Sequence, residues 1–123
     1  MPSRIISYRD AASFRPERFH ASPVAQSERV KVLVVSFEPG QFIPVHHPGV
    51  DLTLVILEGE GRVAAGDREQ PVAAGTVVFV PAGEARGVKA DTRLVAVSVV
   101  SPPPGPGDHD EVAAGLRAGT WRP

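Results

Sequence analysis

No cysteine occurs among the 123 residues, so disulfides, thiolate zinc sites, iron–sulfur clusters and cysteine nucleophiles are all excluded. A metal, if one is held, must use His, Asp or Glu. A surplus charge of one sign is lacking as well. Thirteen Lys+Arg against fourteen Asp+Glu leave a formal charge of −1, and no overall positive field exists to draw the chain onto nucleic acid or anionic lipid. Neither partner is expected. Long apolar runs are missing: stretches such as Val30 to Phe37 fall far short of the roughly 20 residues a membrane helix needs. The opening residues MPSRIISYRD carry no apolar segment of signal-peptide type, so a cytoplasmic location is expected. The glycines do not open a helix as a phosphate-binding loop would require, no Gly-x-Ser-x-Gly elbow is present, and no internal repeat stands out.

What is present is a chain long enough for one compact domain, with 42% hydrophobic and 22% charged residues, a balance that supports a real core and argues against disorder. Twelve glycines and thirteen prolines separate short Val-rich runs that read as strands. The clearest is Val30 to Phe37, closed by Glu38-Pro39-Gly40. Gln41 to His47 is interrupted by Pro44 and bounded by Pro48, which predicts an edge or bulged strand. Further strands follow at Asp51 to Leu57, Arg62 to Ala65, Arg68 to Val72, Thr76 to Val80, Ala85 to Ala90 and Arg93 to Val100, giving seven or eight in all. Turns every 8 to 12 residues or so predict an all-β sandwich or small barrel, best matched by a jelly roll. The organisation expected is an arm over 1–29 without clear periodicity, anchored by Tyr8, Phe14 and Phe19. A β-barrel over 30–101 follows, then a Pro/Gly linker and helix over 102–123. In that helix Asp108 and Glu111 form a capping box and Gly119 the stop. Val112, Leu116 and Trp121 supply its apolar face, and Gly115 weakens it.

Two segments carry a family resemblance. Gly40-Gln41-Phe42-Ile43-Pro44-Val45-His46-His47-Pro48, followed by Leu54-Val55-Ile56-Leu57-Glu58-Gly59-Glu60-Gly61, resembles the first motif of the cupin superfamily. Gly75-Thr76-Val77-Val78-Phe79-Val80-Pro81-Ala82-Gly83 resembles the second. The resemblance implies a single cupin-type jelly-roll barrel. In metal-binding members, two histidines and a glutamate from the first motif and one histidine from the second project into the barrel. A strict match places His46, Pro48, Leu52 and Arg86 at those four positions, leaving one ligand. Allowing a one-residue deletion makes His47 the second histidine and brings Asp51 near the acidic position. His46, His47 and Asp51 would then form a facial triad suited to iron or manganese.

Strand alternation tests that triad. Neighbouring residues point to opposite faces, so His46 and His47 enter the barrel together only if the backbone bulges between them. If Leu52, Leu54 and Ile56 face the lumen, Asp51 does not. Arg86 sits where the resemblance implies a histidine, exchanging a metal ligand for a permanent cation with five donors that repels divalent metal and attracts carboxylate or phosphate. Its structural alternative is an ion pair with Asp51, Glu58 or Glu84, or a place at the barrel mouth. His20 and His109 are expected in solvent, and Glu58, Glu60, Arg62, Asp67, Arg68 and Glu69 as a solvated rim.

Three functions compete at this level. One is a small-molecule binding barrel without the full metal set, its ligand an anion such as a carboxylate, held by Arg86, His46 and His47. The second is an enzyme, either a metal-dependent oxygenase or isomerase using His46, His47 and Asp51, or a metal-free isomerase with a histidine base and Arg86 as anion holder. The third is a structural dimer module. The cofactor is accordingly either none or a divalent metal, no catalytic residue is assigned, and a homodimer is expected.

Overall fold

The computed structural model describes residues 2–122; residues 1 and 123, the ends of the arm and of the C-terminal segment, lie outside them. A one-turn helix α1 (Tyr8–Ala11) precedes nine strands: β1 (His20–Gln26), β2 (Lys31–Phe37), β3 (Phe42–His46), β4 (Asp51–Glu58), β5 (Glu60–Ala65), β6 (Arg68–Ala73), β7 (Val77–Val80), β8 (Arg86–Ala90) and β9 (Leu94–Ser101). A helix α2 (Asp110–Ala118) follows them. The strands form two antiparallel sheets, ordered β1-β2-β9-β4-β7 and β3-β8-β5-β6, the layered all-β jelly roll that the turn spacing predicts. Their inward faces supply the core. In the first sheet these include Val35 and Phe37 of β2 and Leu52, Leu54 and Ile56 of β4, and in the second Val63 and Val88. Each buried aliphatic side chain of this kind contributes about 1.5–3 kcal/mol.

The arm is more ordered than its sequence suggests. His20–Gln26 lacks strict alternation yet pairs along β2 from His20↔Ser36 to Gln26↔Lys31, with a bulge between Pro23 and Ala25. The bulge and Pro23 erase the period-2 signal while the ladder survives, as an edge position allows. The three aromatics do anchor the arm. Phe19 is buried and its ring lies 5.8 Å from that of Phe37, Tyr8 Oη donates to Glu58 Oε2 at 2.6 Å, and Arg93 stacks over Phe14.

The C-terminal segment departs from expectation at its cap. His109 holds the N-cap position and no side chain caps the helix. Asp108 instead accepts from the backbone N–H of Gly105 at 2.8 Å and of Gly49 at 3.3 Å, and Glu111 turns to His47. These carboxylates tie the segment to the β3–β4 turn rather than serving the helix start. Gly119 ends α2 in the left-handed conformation as expected. Gly115 has a packing reason to be glycine: a Cβ there would lie 2.5 Å from Pro44 Cβ, because α2 rests directly on β3. Gly→Ala inside a helix ordinarily stabilises by about 1 kcal/mol. Gly115→Ala is expected to reverse that sign, lowering the urea midpoint, because overpacking costs about 1–3 kcal/mol; an unchanged or raised midpoint would show that α2 is not held against β3.

Candidate functional site

A cavity of about 220 Å³ lies between the sheets, with Leu33, Leu52, Leu54 and Val88 among its apolar walls. Two of its polar groups, His46 and Arg86, sit where β3 meets β8. Between the pairs Ile43↔Val88 and His46↔Arg86, two residues of β3, Pro44 and Val45, stand opposite Gly87 alone. This is a β-bulge, and it re-aims the strand. Without it, a residue three positions after Ile43 would face the other side. With it, Ile43 and His46 both line the cavity, as do Arg86 and Val88 of the paired strand. His47 falls outside.

Arg86 is 4% exposed. Its Nη2 donates to the Pro81 carbonyl at 3.0 Å and its Nε to that of Glu84 at 3.4 Å, while Nη1 is fully buried without a hydrogen-bond partner. The alternative of an ion pair with Asp51, Glu58 or Glu84 is not realised: both side-chain bonds go to backbone carbonyls. Burial pushes the guanidinium pKa down from its ordinary value, opposed by the fields of Asp51, Glu84 and Asp108, and a guanidinium stays charged in any protein. Among the described residues no carboxylate lines the cavity, whereas Arg18, Lys31, His46, Arg86 and His109 all do.

His46 is 9% exposed, and its Nδ1 lies 2.8 Å from the Pro44 carbonyl oxygen. A carbonyl only accepts, so Nδ1 carries the hydrogen and, in the neutral ring, Nε2 is left as a bare acceptor. Burial chiefly, together with the positive fields of Arg86 and His109, holds the His46 pKa below its ordinary value, against the Pro44 hydrogen bond and the more distant Glu111 carboxylate. The ring is therefore kept neutral beside the guanidinium.

The other candidates lie elsewhere. His47 donates its backbone N–H to Glu111 Oε1 at 2.8 Å and pairs through Nδ1 with Glu111 Oε2 at 3.0 Å, half-exposed on the outside. Asp51 is exposed, and its Oδ1 accepts from the Ala82 N–H at 2.8 Å. The triad of His46, His47 and Asp51 is thus not assembled, for the reason alternation gives. Among the described residues no cluster of three or more His, Asp or Glu is placed to hold a metal. The donors facing the cavity are imidazoles opposed by a buried cation, and they do not fit a divalent ion. His109, expected in solvent, is exposed and also borders the cavity with Pro104 and Val112, because the C-terminal segment folds over the opening. No periodicity carries that information; the helix-interior Gly115 is the one local sign of a close approach.

Burial of His46 generates a prediction. Its folded-state pKa lies below the unfolded value near 6.5, so the unfolded chain binds the proton first, and the stability it contributes is present above that pH and lost on acidification below it. Melting temperature should fall as pH drops from 7 towards 5, with a shallower fall in His46→Gln. Equal slopes in the two proteins would place the ring in solvent.

Comparison with known proteins agrees with this fold. A family model described as a cupin domain matches residues 33–100. Among solved structures, the TT1209 protein of Thermus thermophilus is 35% identical, the match covering 80% of this chain and 96% of that one with a TM-score of 0.76. An RmlC-like cupin protein from Desulfovibrio desulfuricans is 32% identical over 83% of this chain and 97% of that one, with a TM-score of 0.71. A conserved protein with a double-stranded β-helix domain from Klebsiella pneumoniae is 27% identical over 82% and 91%, with a TM-score of 0.75. No curated protein matches.

Proposed function

The chain belongs to the cupin superfamily, and on that premise we propose that its lumen binds a small carboxylate, with Arg86 as the anion-binding group. The observation that carries this reading is the buried, unpartnered Nη1 of Arg86 at an acid-free cavity. Buried donors in native proteins almost always have partners, and a bound anion would supply one here. A carboxylate supplies both the acceptor and the missing countercharge. The cavity of about 220 Å³ is smaller than the roughly 300–1,000 Å³ of drug-sized pockets, so the ligand is short, and the leucine and valine walls suit an aliphatic body. His46 sits beside the anion site and His47, on the outer surface, holds the C-terminal segment in place. The reading is of a binding barrel, cytoplasmic and without a resident metal.

Titration calorimetry with straight and branched aliphatic carboxylates tests it. Micromolar to millimolar binding is expected, reduced about 10- to 100-fold in Arg86→Gln, the range for one or two hydrogen bonds to a charged group. Equal affinity in a folded Arg86→Gln protein would remove Arg86 from the site.

A homodimer through the outer face of the five-stranded sheet is proposed on a separate observation. Two adjacent cross-strand rows there, Val99–Thr53–Phe79 and Val97–Val55–Val77, carry no charge, and Phe79 and Val77 are 61% and 66% exposed on the edge strand β7. The same chain offers a second unpartnered apolar group at Ile5, 99% exposed, at the end of an arm that already runs over this sheet, where Ser13 N–H meets Ser36 Oγ. A two-fold axis allows each arm to meet the other copy's face. Sedimentation at micromolar concentration should give twice the chain mass and Phe79→Lys the monomer; a monomer in both sinks the proposal.

A further inference from the structure

Arg86 accounts for one end of a ligand, and His46 adds a demand of a different kind. The two residues are Cα partners across the β3–β8 ladder, where directly opposed side chains stand about 4.5–5.5 Å apart at Cβ. Both line the cavity. Arg86 keeps one donor, the buried Nη1, without an acceptor. His46, its Nδ1 committed to the Pro44 carbonyl, keeps Nε2 as the free acceptor of its ring. A plain carboxylate satisfies the first group and offers nothing to the second, because an ionised carboxylate has no hydrogen to give. The two needs are met together by a molecule that carries an acceptor anion and a neutral donor on neighbouring atoms. An ammonium as that donor is disfavoured, since it would be a cation set into a wall whose charged and titratable groups are all basic. A carbonyl in the same place would face the Nε2 lone pair with its own.

We infer that the carboxylate taken by this lumen bears a hydroxyl on the adjacent carbon, with Arg86 Nη1 donating to the carboxylate and His46 Nε2 accepting from the hydroxyl. The ligand class is a short aliphatic 2-hydroxy acid. The inference rests on the carboxylate reading and goes beyond it by assigning the second polar contact. The remaining carbons lie against Leu52 and Leu54, and the small cavity limits their number. Specificity then comes from pairing rather than from shape. A site built to accept a hydroxyl hydrogen leaves its own acceptor unpaired when the analogue lacks it, and that penalty discriminates more sharply than a methylene does.

Calorimetry with matched acids tests the assignment, using 2-hydroxyisocaproate, isocaproate and the corresponding 2-oxo acid against the full chain at neutral pH. The hydroxy acid is expected to bind about tenfold more tightly than isocaproate, as one net hydrogen bond of about 1.4 kcal/mol gives, with the oxo acid no better than isocaproate. In His46→Leu that advantage should shrink to within about twofold. In Arg86→Gln both acids should weaken together. Nitrogen-15 chemical shifts of the His46 ring supply a readout independent of variants: Nε2 should move on adding the hydroxy acid and stay near its free value with isocaproate. Equal binding of hydroxy and plain acids overturns the hydroxyl assignment and leaves the carboxylate reading standing. Absence of binding by every acid overturns both. A hydroxy-acid advantage that survives His46→Leu overturns the role of His46.

Discussion

The chemistry of the lumen depends on one extra residue in β3. Alternation from Ile43 along a regular strand would turn Val45 and His47 inward and His46 outward. Pro44 and Val45 opposite Gly87 break that count, and the strand reaches β8 with His46 aimed inward beside Arg86. Proline suits the position, since it has no ladder hydrogen to lose and β3 is an edge strand of its sheet. The same bulge supplies the Pro44 carbonyl that fixes the His46 tautomer. A single backbone irregularity therefore selects the imidazole, orients it and decides which nitrogen remains available.

A guanidinium enclosed by aliphatic side chains is an expensive feature for a domain of this size. An unpaired buried donor costs about 1–3 kcal/mol in a fold whose total stability is of the order of 5–15 kcal/mol. The protein limits the cost in two ways. Backbone carbonyls of Pro81 and Glu84 take two of the guanidinium nitrogens, and the carboxylates of Asp51, Glu84 and Asp108 raise the cation's tolerance of burial through their fields. None of the three lines the cavity. Countercharge is thus supplied from outside the lumen, which is the arrangement the proposed anion site requires.

Most of the architecture was legible in the sequence because it is written in turns. Glycines and prolines mark the strand ends closely, and the Leu52, Leu54, Ile56 alternation identifies the inward face of β4. Matching the cupin motifs put Arg86 at a ligand position and left an ion pair or the barrel mouth as its alternative. Less was legible wherever a residue's role depends on a non-periodic backbone. Pro23 and its bulge hid β1, and the Pro44 bulge left His46 and His47 indistinguishable. The cap of α2 was misread for a related reason: Asp108 and Glu111 have the spacing of a capping box, but longer-range partners at Gly49 and His47 compete for both carboxylates and win. Sequence spacing reports what local geometry permits, and here tertiary contacts chose otherwise.

The segment that follows β9 is also a wall. Pro104, His109 and Val112 complete the cavity, and their place is held by contacts to the β3–β4 region: the Glu111 pair with His47, the Asp108 bond to Gly49 and the Val45 N–H bond to the Trp121 carbonyl. The two sheets alone do not enclose this space. On the proposed reading, docking of this segment and occupancy of the lumen would be linked equilibria, because a ligand touching Pro104, His109 or Val112 would also hold the segment down. The segment after β9 would thereby bear on how long such a ligand stays inside.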